Sequence, residues 1–194
     1  MLFMNKKEEL RKKYLNERSK MSAVKINKWS KKIKNKFLEL PELKNAKKVM
    51  AYASMRKEIE TFELLEELLN QGYLLYLPYT RRDVVDLGTA KINDLDQDLK
   101  DGVFGVQEPI KRIRDEEVPD DFDIIIVPGA CFTAEGYRIG YGGGYYDSFL
   151  TKHANNALKV GFSYDCFIVD SIPAEAHDVP VDIIITEKRI INTK

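Results

Sequence analysis

Of the 194 residues, 44% are hydrophobic and 10% aromatic, enough apolar material for one core and too much for a disordered chain. The 31 Lys and Arg balance 31 Asp and Glu, no apolar run is long enough to span a bilayer, and the opening Met1-Leu2-Phe3-Met4 is too short for a signal peptide. Two cysteines, Cys131 and Cys166, with no CxxC pair, exclude a disulfide framework and a cysteine zinc site, so the expectation is a single cytoplasmic domain over 1–194, acting as a monomer.

The balance of charge is uneven along the chain. Residues 1–48 carry 16 Lys/Arg against 5 Asp/Glu, a net of +11 that the remaining 146 residues offset. Leu10, Tyr14 and Met21 share one helical face, and Glu8–Lys12 and Glu9–Lys13 are i,i+4 pairs with the acid first, so the spacing predicts a helix over 5–20. Ser22 is a plausible N-cap for a second helix over 23–39, in which Ile26, Trp29, Ile33 and Phe37 repeat the pattern up to Pro41. The lysines then decorate the outer faces of two helices. A nucleic-acid-binding arm is the competing reading; it predicts binding that falls steeply with salt, and the chain lacks the aromatic–basic interleaving of RNA-recognition sheets.

Beyond Pro41 the period changes. Val49 to Ala53 reads as a buried strand, Thr61 opens a helix carrying Leu64, Leu65, Leu68 and Leu69, and Gly72 stops it. Tyr73 to Leu77 is a second strand, closed by Pro78. Residues 79–121 are acidic, polar and weakly periodic, with a short strand at Lys91–Asn93 and otherwise loop with marginal helices, either a lid or an insertion. Asp123 to Val127, Val160 to Phe162 and Val181 to Thr186 are three further strands, and a helix over Tyr145 to His153 separates the first two. Strands that are apolar on both faces and alternate with helices indicate a mostly parallel sheet covered on both sides, in one α/β domain. Both cysteines fall in or beside these strands and read as core fillers.

The most informative stretch runs from Val127 to Asp147. Gly136, Gly140, Gly142, Gly143 and Gly144, five of the eleven glycines, fall within nine residues between a strand and a helix. Such a turn brings backbone close to a ligand, and a helix start adds free N–H groups, which together suit a phosphate. Neither GxxxxGK[ST] nor GxGxxG is present. Arg138 before the glycines, tyrosines at 141, 145 and 146, and Asp147 after them supply a cation for phosphate, rings for stacking and a carboxylate for magnesium.

The string Gly136-Tyr-Arg-Ile-Gly-Tyr-Gly-Gly-Gly-Tyr-Tyr-Asp147 closely resembles the signature of the 5-formyltetrahydrofolate cyclo-ligase (methenyltetrahydrofolate synthetase) family. Three more segments agree in order and spacing: Lys7-Glu-Glu-Leu-Arg11, Ala53-Ser-Met-Arg-Lys-Glu58-Ile-Glu-Thr61, and Ile172-Pro-Ala-Glu-Ala-His177-Asp178-Val-Pro-Val-Asp182. The resemblance runs from about residue 6 to residue 187. It implies a three-layer α/β/α fold, shared with sugar-phosphate isomerase and CoA-transferase relatives and preceded here by two helices. The activity it implies is ATP- and Mg²⁺-dependent closure of 5-formyltetrahydrofolate to 5,10-methenyltetrahydrofolate, with release of ADP and phosphate. The alternative keeps the fold and the ATP site but takes another formylated amine.

The resemblance also implies a part for each matched residue. Lys7 and Arg11 reach the nucleotide phosphates, although as residues alone they fit a solvated basic helix. Arg138, with Ile139, Gly140, Tyr141, Gly142, Gly143, Gly144, Tyr145 and Tyr146, wraps the ATP. Arg138 and Tyr145 act at the transferred phosphoryl group. The stretch from Tyr141 to Tyr145 also meets the folate. Asp147 and Asp178 hold the metal. Glu58 accepts adjacent pterin N–H groups, with Ala53 and Met55 against the ring; as a residue alone, Glu58 equally suits a surface acid paired with Lys57 or Arg56. Arg56, Arg81 and Arg82 are available for the glutamate tail. His177 is either a proton shuttle or a loop-ordering residue, and His153 ends a helix. Phe167 departs from the family pattern, where many members carry a polar residue. The implied partners are the reduced folate and ATP, with no nucleic acid and no membrane.

Overall fold

The computed structural model describes residues 2–81, 84, 86–102, 105–115, 117–154 and 156–193. Two helices come first, α1 (Leu2–Ser19) and α2 (Ala23–Leu38), close to the expected bounds. Ser22 caps α2 by accepting from Lys25 N–H at 3.3 Å, and Ile26, Ile33 and Phe37 are its buried stripe. There follow β1 (Lys48–Met50), α3 (Phe62–Asn70), β2 (Leu74–Arg81) and β3 (Asp86–Ile92). The short α4 (Leu95–Asp98) leads into the hairpin β4 (Leu99–Asp101) and β5 (Gln107–Pro109). The second half holds β6 (Ile124–Val127), β7 (Cys131–Thr133), β8 (Arg138–Ile139), α5 (Tyr145–His153), β9 (Leu158–Phe162), β10 (Ile168–Val169), β11 (Ile183–Ile185) and β12 (Ile190–Asn192).

Seven strands form the central sheet in the order β12-β11-β9-β6-β1-β2-β3. The inner five are parallel and each edge strand is antiparallel. Alternate side chains therefore feed two cores. Val49, Leu75, Ile124, Ile126 and Val160 pack with α2 and α3, where the Phe37 and Phe162 rings lie 5.6 Å apart. Met50, Tyr76, Ile125, Val127 and Ile184 pack with Phe149 and Leu150 of α5 and with Phe132. Helices on both faces of a mostly parallel sheet are the expected three layers. No described helix is long and apolar enough to cross a membrane.

Three expectations need correction. Pro78 does not close β2: the strand continues to Arg81, with Pro78 paired to Thr89. β1 accompanies β2 only as far as Tyr76, so Pro78 lies where β2 has a neighbour on one side, and no parallel ladder bond is lost. The segment 79–121 is more regular than expected: its described residues complete β2, form the edge strand β3 through Lys91 and Ile92, and add a hairpin, beside the short α4 and a 3-10 turn at Lys111–Ile113. Cys131 is buried, its thiol pushed up to about 12 by desolvation, as a core residue should be, but Cys166 is exposed on a single 3-10 turn. The small sheet β10-β7-β8 and the edge strand β12 had no counterpart in the predicted elements.

Gly136 lies in the β7–β8 turn with φ +90°, and a Cβ there would stand 2.3 Å from the Val181 carbonyl oxygen. Backbone conformation and backbone contact both forbid a side chain. Gly136→Ala is expected to cost about 2 kcal/mol or more of stability, read from urea unfolding midpoints. A change below about 0.5 kcal/mol would mean that the turn yields without strain.

Candidate active site

The C-terminal ends of the parallel strands converge on one edge of the sheet, where α/β folds of this kind place their ligands. Past β1 the chain turns tightly, and Thr61 holds that turn. Its hydroxyl donates to the Tyr52 carbonyl at 2.7 Å and accepts from Ser54 N–H at 3.0 Å, so it ties the strand end to the start of α3 rather than capping the helix. Inside the turn Ala53 is buried, Arg56 adopts φ +53°, and Glu58 is only 6% exposed. Glu58 is thus no surface acid. One of its carboxylate oxygens accepts from Met55 N–H at 2.9 Å and the other from the Tyr141 hydroxyl at 2.7 Å. Burial pushes the Glu58 carboxyl above its usual range, and Tyr141, Met55 N–H, Arg18 and Arg56 pull against that without cancelling it.

Beyond β8 the glycine loop runs into α5. Ile139 is buried, so only its main chain is available to a ligand. Gly142 (φ +99°) and Gly144 (φ +68°) take left-handed conformations, and Gly144 caps α5. The Arg11 guanidinium lies 3.2 Å from where a Gly142 Cβ would be, and its Nε donates to the Gly140 carbonyl at 2.8 Å. A Cβ on Gly143 would strike the Tyr145 ring at 2.5 Å. The glycines therefore let a cation and an aromatic ring lie directly on the backbone. The first N–H groups of α5 point into the same place, a ready anion site.

Arg138 is buried beneath this loop. Its guanidinium donates to the Val179 carbonyl at 2.6 Å and to Asp147 at 2.7 Å, and the same Asp147 oxygen accepts from Val179 N–H at 3.2 Å. The other Asp147 oxygen has no hydrogen bond among the described residues, and Asp147 lines an open cavity of about 260 Å³ with Gly144, Ser148, Thr151, Lys152 and His177. Tyr146 is half-buried, but its hydroxyl is fully enclosed and finds no partner among the described residues; burial and the Glu58 charge raise its pKa, while Arg138 opposes them.

Asp178 is one residue from the Asp147–Val179 contact, so the two expected metal carboxylates belong to adjoining segments. Asp178 accepts from Lys7 Nζ and from Glu175 N–H, both at 2.8 Å. Burial pushes its carboxyl up, but Lys7, Glu175 N–H and His177 outweigh that and hold it below the usual range. Glu175, His177 and Asp178 bring their ligand atoms within 4.8 Å of one another, with Glu175 and His177 exposed. The His177 ring stands 3.1 Å from Glu175, which fits a histidine that orders its loop. Oxygen donors from two aspartates beside an open cavity suit Mg²⁺, which takes one or two carboxylates and keeps its waters.

Lys7, Arg11, Tyr14 and Arg18 form the inward stripe of α1. Three of the basic arm's cations therefore face the site rather than solvent. Arg18 was missed in the sequence, although its spacing of seven from Arg11 and eleven from Lys7 keeps it on their helical face. Phe167 is buried and lines the cavity beside Glu58, its ring 5.5 Å from Tyr14 and 5.8 Å from Tyr164. Among the arginines offered for a glutamate tail, Arg56 is exposed, Arg81 lies over the Tyr79 ring at 5.8 Å, and Arg82 is outside the described residues.

A model of the 5-formyltetrahydrofolate cyclo-ligase family matches residues 3–187. The chain is 29% identical to the 5-formyltetrahydrofolate cyclo-ligase of Haemophilus influenzae, over 93% of this chain and 97% of that one. It is 26% identical to the protein of the same name from Escherichia coli K12, over 80% of this chain and 86% of that one. Among solved structures, the 5,10-methenyltetrahydrofolate synthetase of Aquifex aeolicus superposes with a TM-score of 0.83 at 36% identity, covering 97% of this chain and 93% of that one. The Mycoplasma pneumoniae synthetase, at 22% identity and a TM-score of 0.73, shares the fold, covering 93% of this chain and 98% of that one.

Proposed function

The chain belongs to the 5-formyltetrahydrofolate cyclo-ligase family, which makes it a ligase that closes 5-formyltetrahydrofolate to 5,10-methenyltetrahydrofolate, and we propose that it does so by letting ATP phosphorylate the formyl oxygen. A formamide oxygen is a poor leaving group. Once the γ-phosphoryl group sits on that oxygen and ADP has left, N10 attacks the formyl carbon and loses its proton, and phosphate departs with the old C–O bond. The product carries the amidinium charge. The protein's work is positioning and charge stabilisation.

Arg138 stabilises the phosphoryl group in transfer, with Tyr145 beside it. Gly140 to Tyr146 and the start of α5 cradle the nucleotide phosphates, while Lys7 and Arg11 flank them from α1. Lys7 then exchanges Asp178 for phosphate oxygens. Asp147 and Asp178 are the residues that would hold Mg²⁺, which would supply charge neutralisation at the nucleotide phosphates. Glu58 receives the pterin N–H groups, and Ala53 and Met55 border the ring. The enzyme is proposed to act as a monomer in the cytoplasm.

The observation that carries this reading is the hydrogen bond by which Tyr141 of the glycine loop meets buried Glu58, which supports a folate site next to the phosphate site. The test is absorbance in the methenyl-folate band after mixing protein, 5-formyltetrahydrofolate, ATP and Mg²⁺. The band is expected to grow only when ATP is present. ATP binding without growth of the band would move the substrate to another formylated amine, and no ATP binding would remove the phosphate site.

A further inference from the structure

The cavity that holds Glu58 contains a second buried ion. Arg18, 5% exposed, lines it together with Tyr52, Phe162, Tyr164 and Phe167, and is the one cation among its described lining residues. One arm of its guanidinium reaches the Gly129 carbonyl at 3.4 Å and the other donates to the Tyr141 hydroxyl, with the Tyr141 ring 5.5 Å away. The Tyr164 and Ser163 hydroxyls of the same wall are spent on main-chain carbonyls. Arg18 is therefore the strong donor in the wall that a ligand can claim.

The pterin edge offers three groups in a row: the 2-amino N–H, N3–H and the C4 carbonyl oxygen, in the order donor, donor, acceptor. A carboxylate satisfies the first two, and a cationic donor next to it satisfies the third. The Tyr141 hydroxyl already presents half of that pattern. It donates to Glu58 at 2.7 Å and accepts from Arg18, the same pair of roles that N3–H and the adjacent carbonyl play. With Tyr141 in place the cavity is about 10 Å³, room for about one water, so a pterin must displace that hydroxyl. Tyr141 is 38% exposed and sits in the loop between Gly140 and left-handed Gly142, so its side chain has solvent to move into.

We propose that Arg18 is a specificity-determining residue that donates to the C4 carbonyl oxygen of the pterin, taking over from the Tyr141 hydroxyl when the folate displaces it from Glu58. The assignment rests on Glu58 being the pterin-binding carboxylate. A folate whose C4 oxygen is replaced by an amino group also loses N3–H, so its edge reads donor, acceptor, donor: a lone pair meets Glu58, and a donor faces a guanidinium that cannot accept. A glutamine at position 18 both donates and accepts, and so removes the mismatch at the third position while leaving the one at N3 against Glu58.

The test compares dissociation constants for 5-formyltetrahydrofolate and its 4-amino-4-deoxy analogue. The probe is quenching of the lone Trp29, whose ring lies 5.7 Å from the cavity residue Tyr164. The wild-type protein is expected to favour the 4-oxo compound by about tenfold or more. Arg18→Gln should lower that ratio by about tenfold, while Arg18→Lys, which keeps a cationic donor, should hold it within about threefold. Thermal unfolding of each variant separates a folding defect from a change of preference. An unchanged ratio in folded Arg18→Gln, or a wild-type protein that binds both compounds alike, overturns the assignment, and the second result does so even if the variant fails to fold. Binding of neither compound by wild-type protein, or no loss of binding in Glu58→Gln, overturns the Glu58 reading itself.

Discussion

Arg138→Ala is expected to lower kcat by about a hundredfold or more, with a much smaller change in the KM for ATP. Losing one preorganised donor to a developing charge costs about 2.7–4 kcal/mol of transition-state stabilisation, and Arg138 sits in a dry site where such a contact is strongest. The side chain is 4% exposed, so its charge is focused on the loop above it rather than dispersed in water. The variant also breaks the pair with Asp147, and for a buried pair that costs up to about 3–5 kcal/mol of stability. Asp147 retains 24% exposure, so water can satisfy the orphaned carboxylate and the loss falls below that range. Single-turnover rates on protein shown to be folded check the claim. A kcat within about threefold of wild type would remove Arg138 from the chemistry. The same pairing means that an alanine at Asp147 would strand a buried guanidinium, so Asp147→Asn, which keeps an acceptor for Arg138, is the cleaner probe of the metal.

Glu58→Gln is expected to lower kcat/KM for the folate about a hundredfold, chiefly through KM. The carboxamide replaces one acceptor by a donor that opposes a pterin N–H, a mismatch of about 2.7 kcal/mol inside a closed pocket. The stability effect runs the other way. Burial holds the Glu58 carboxyl above its usual range, so as pH rises past 4.5 the unfolded chain ionises first and stability falls until the folded group has also ionised. A neutral Gln escapes that loss, and the variant should be no less stable than wild type at pH 7. By the same sign, the acid limb of wild-type kcat/KM should lie above the ordinary carboxylate range and vanish in the variant. A variant with wild-type KM, or an acid limb that persists in it, would exclude Glu58 from folate recognition.

The elements legible in the sequence were those whose own residues carry a period. The helix over Tyr145–His153 and the buried strand runs at 124–127, 160–162 and 183–185 needed nothing beyond side-chain pattern. β3, with Gly88 and Lys91 in it, owes its form to pairing with β2, and β7 and β8 are too short to show alternation. In the site, the glycine string was legible because no simple turn needs an arginine, three tyrosines and an aspartate around it. The burial of Glu58 was not, since an acid beside Lys57 and Glu60 has the composition of a surface. Arg18 was hidden for a similar reason. It lies in a run of cations whose inward and outward members differ only in helical phase, and the apolar residues of α1 mark that phase weakly.

The bond between Lys7 and Asp178 joins residues 171 positions apart. At ribosomal speeds, roughly 10–30 s separate their synthesis. Through that interval Arg11 and Arg18 of α1 gain their partners at Gly129, Gly140 and Tyr141, but Lys7 has no carboxylate and Arg138 lacks the Val179 carbonyl. A nascent chain released before residue 178 would hold most of the sheet, with Lys7 short of its carboxylate and Arg138 paired to Asp147 but short of the Val179 carbonyl. Completion of this edge thus waits on residues 178 and 179, and a product that stops short of them is expected to be inactive.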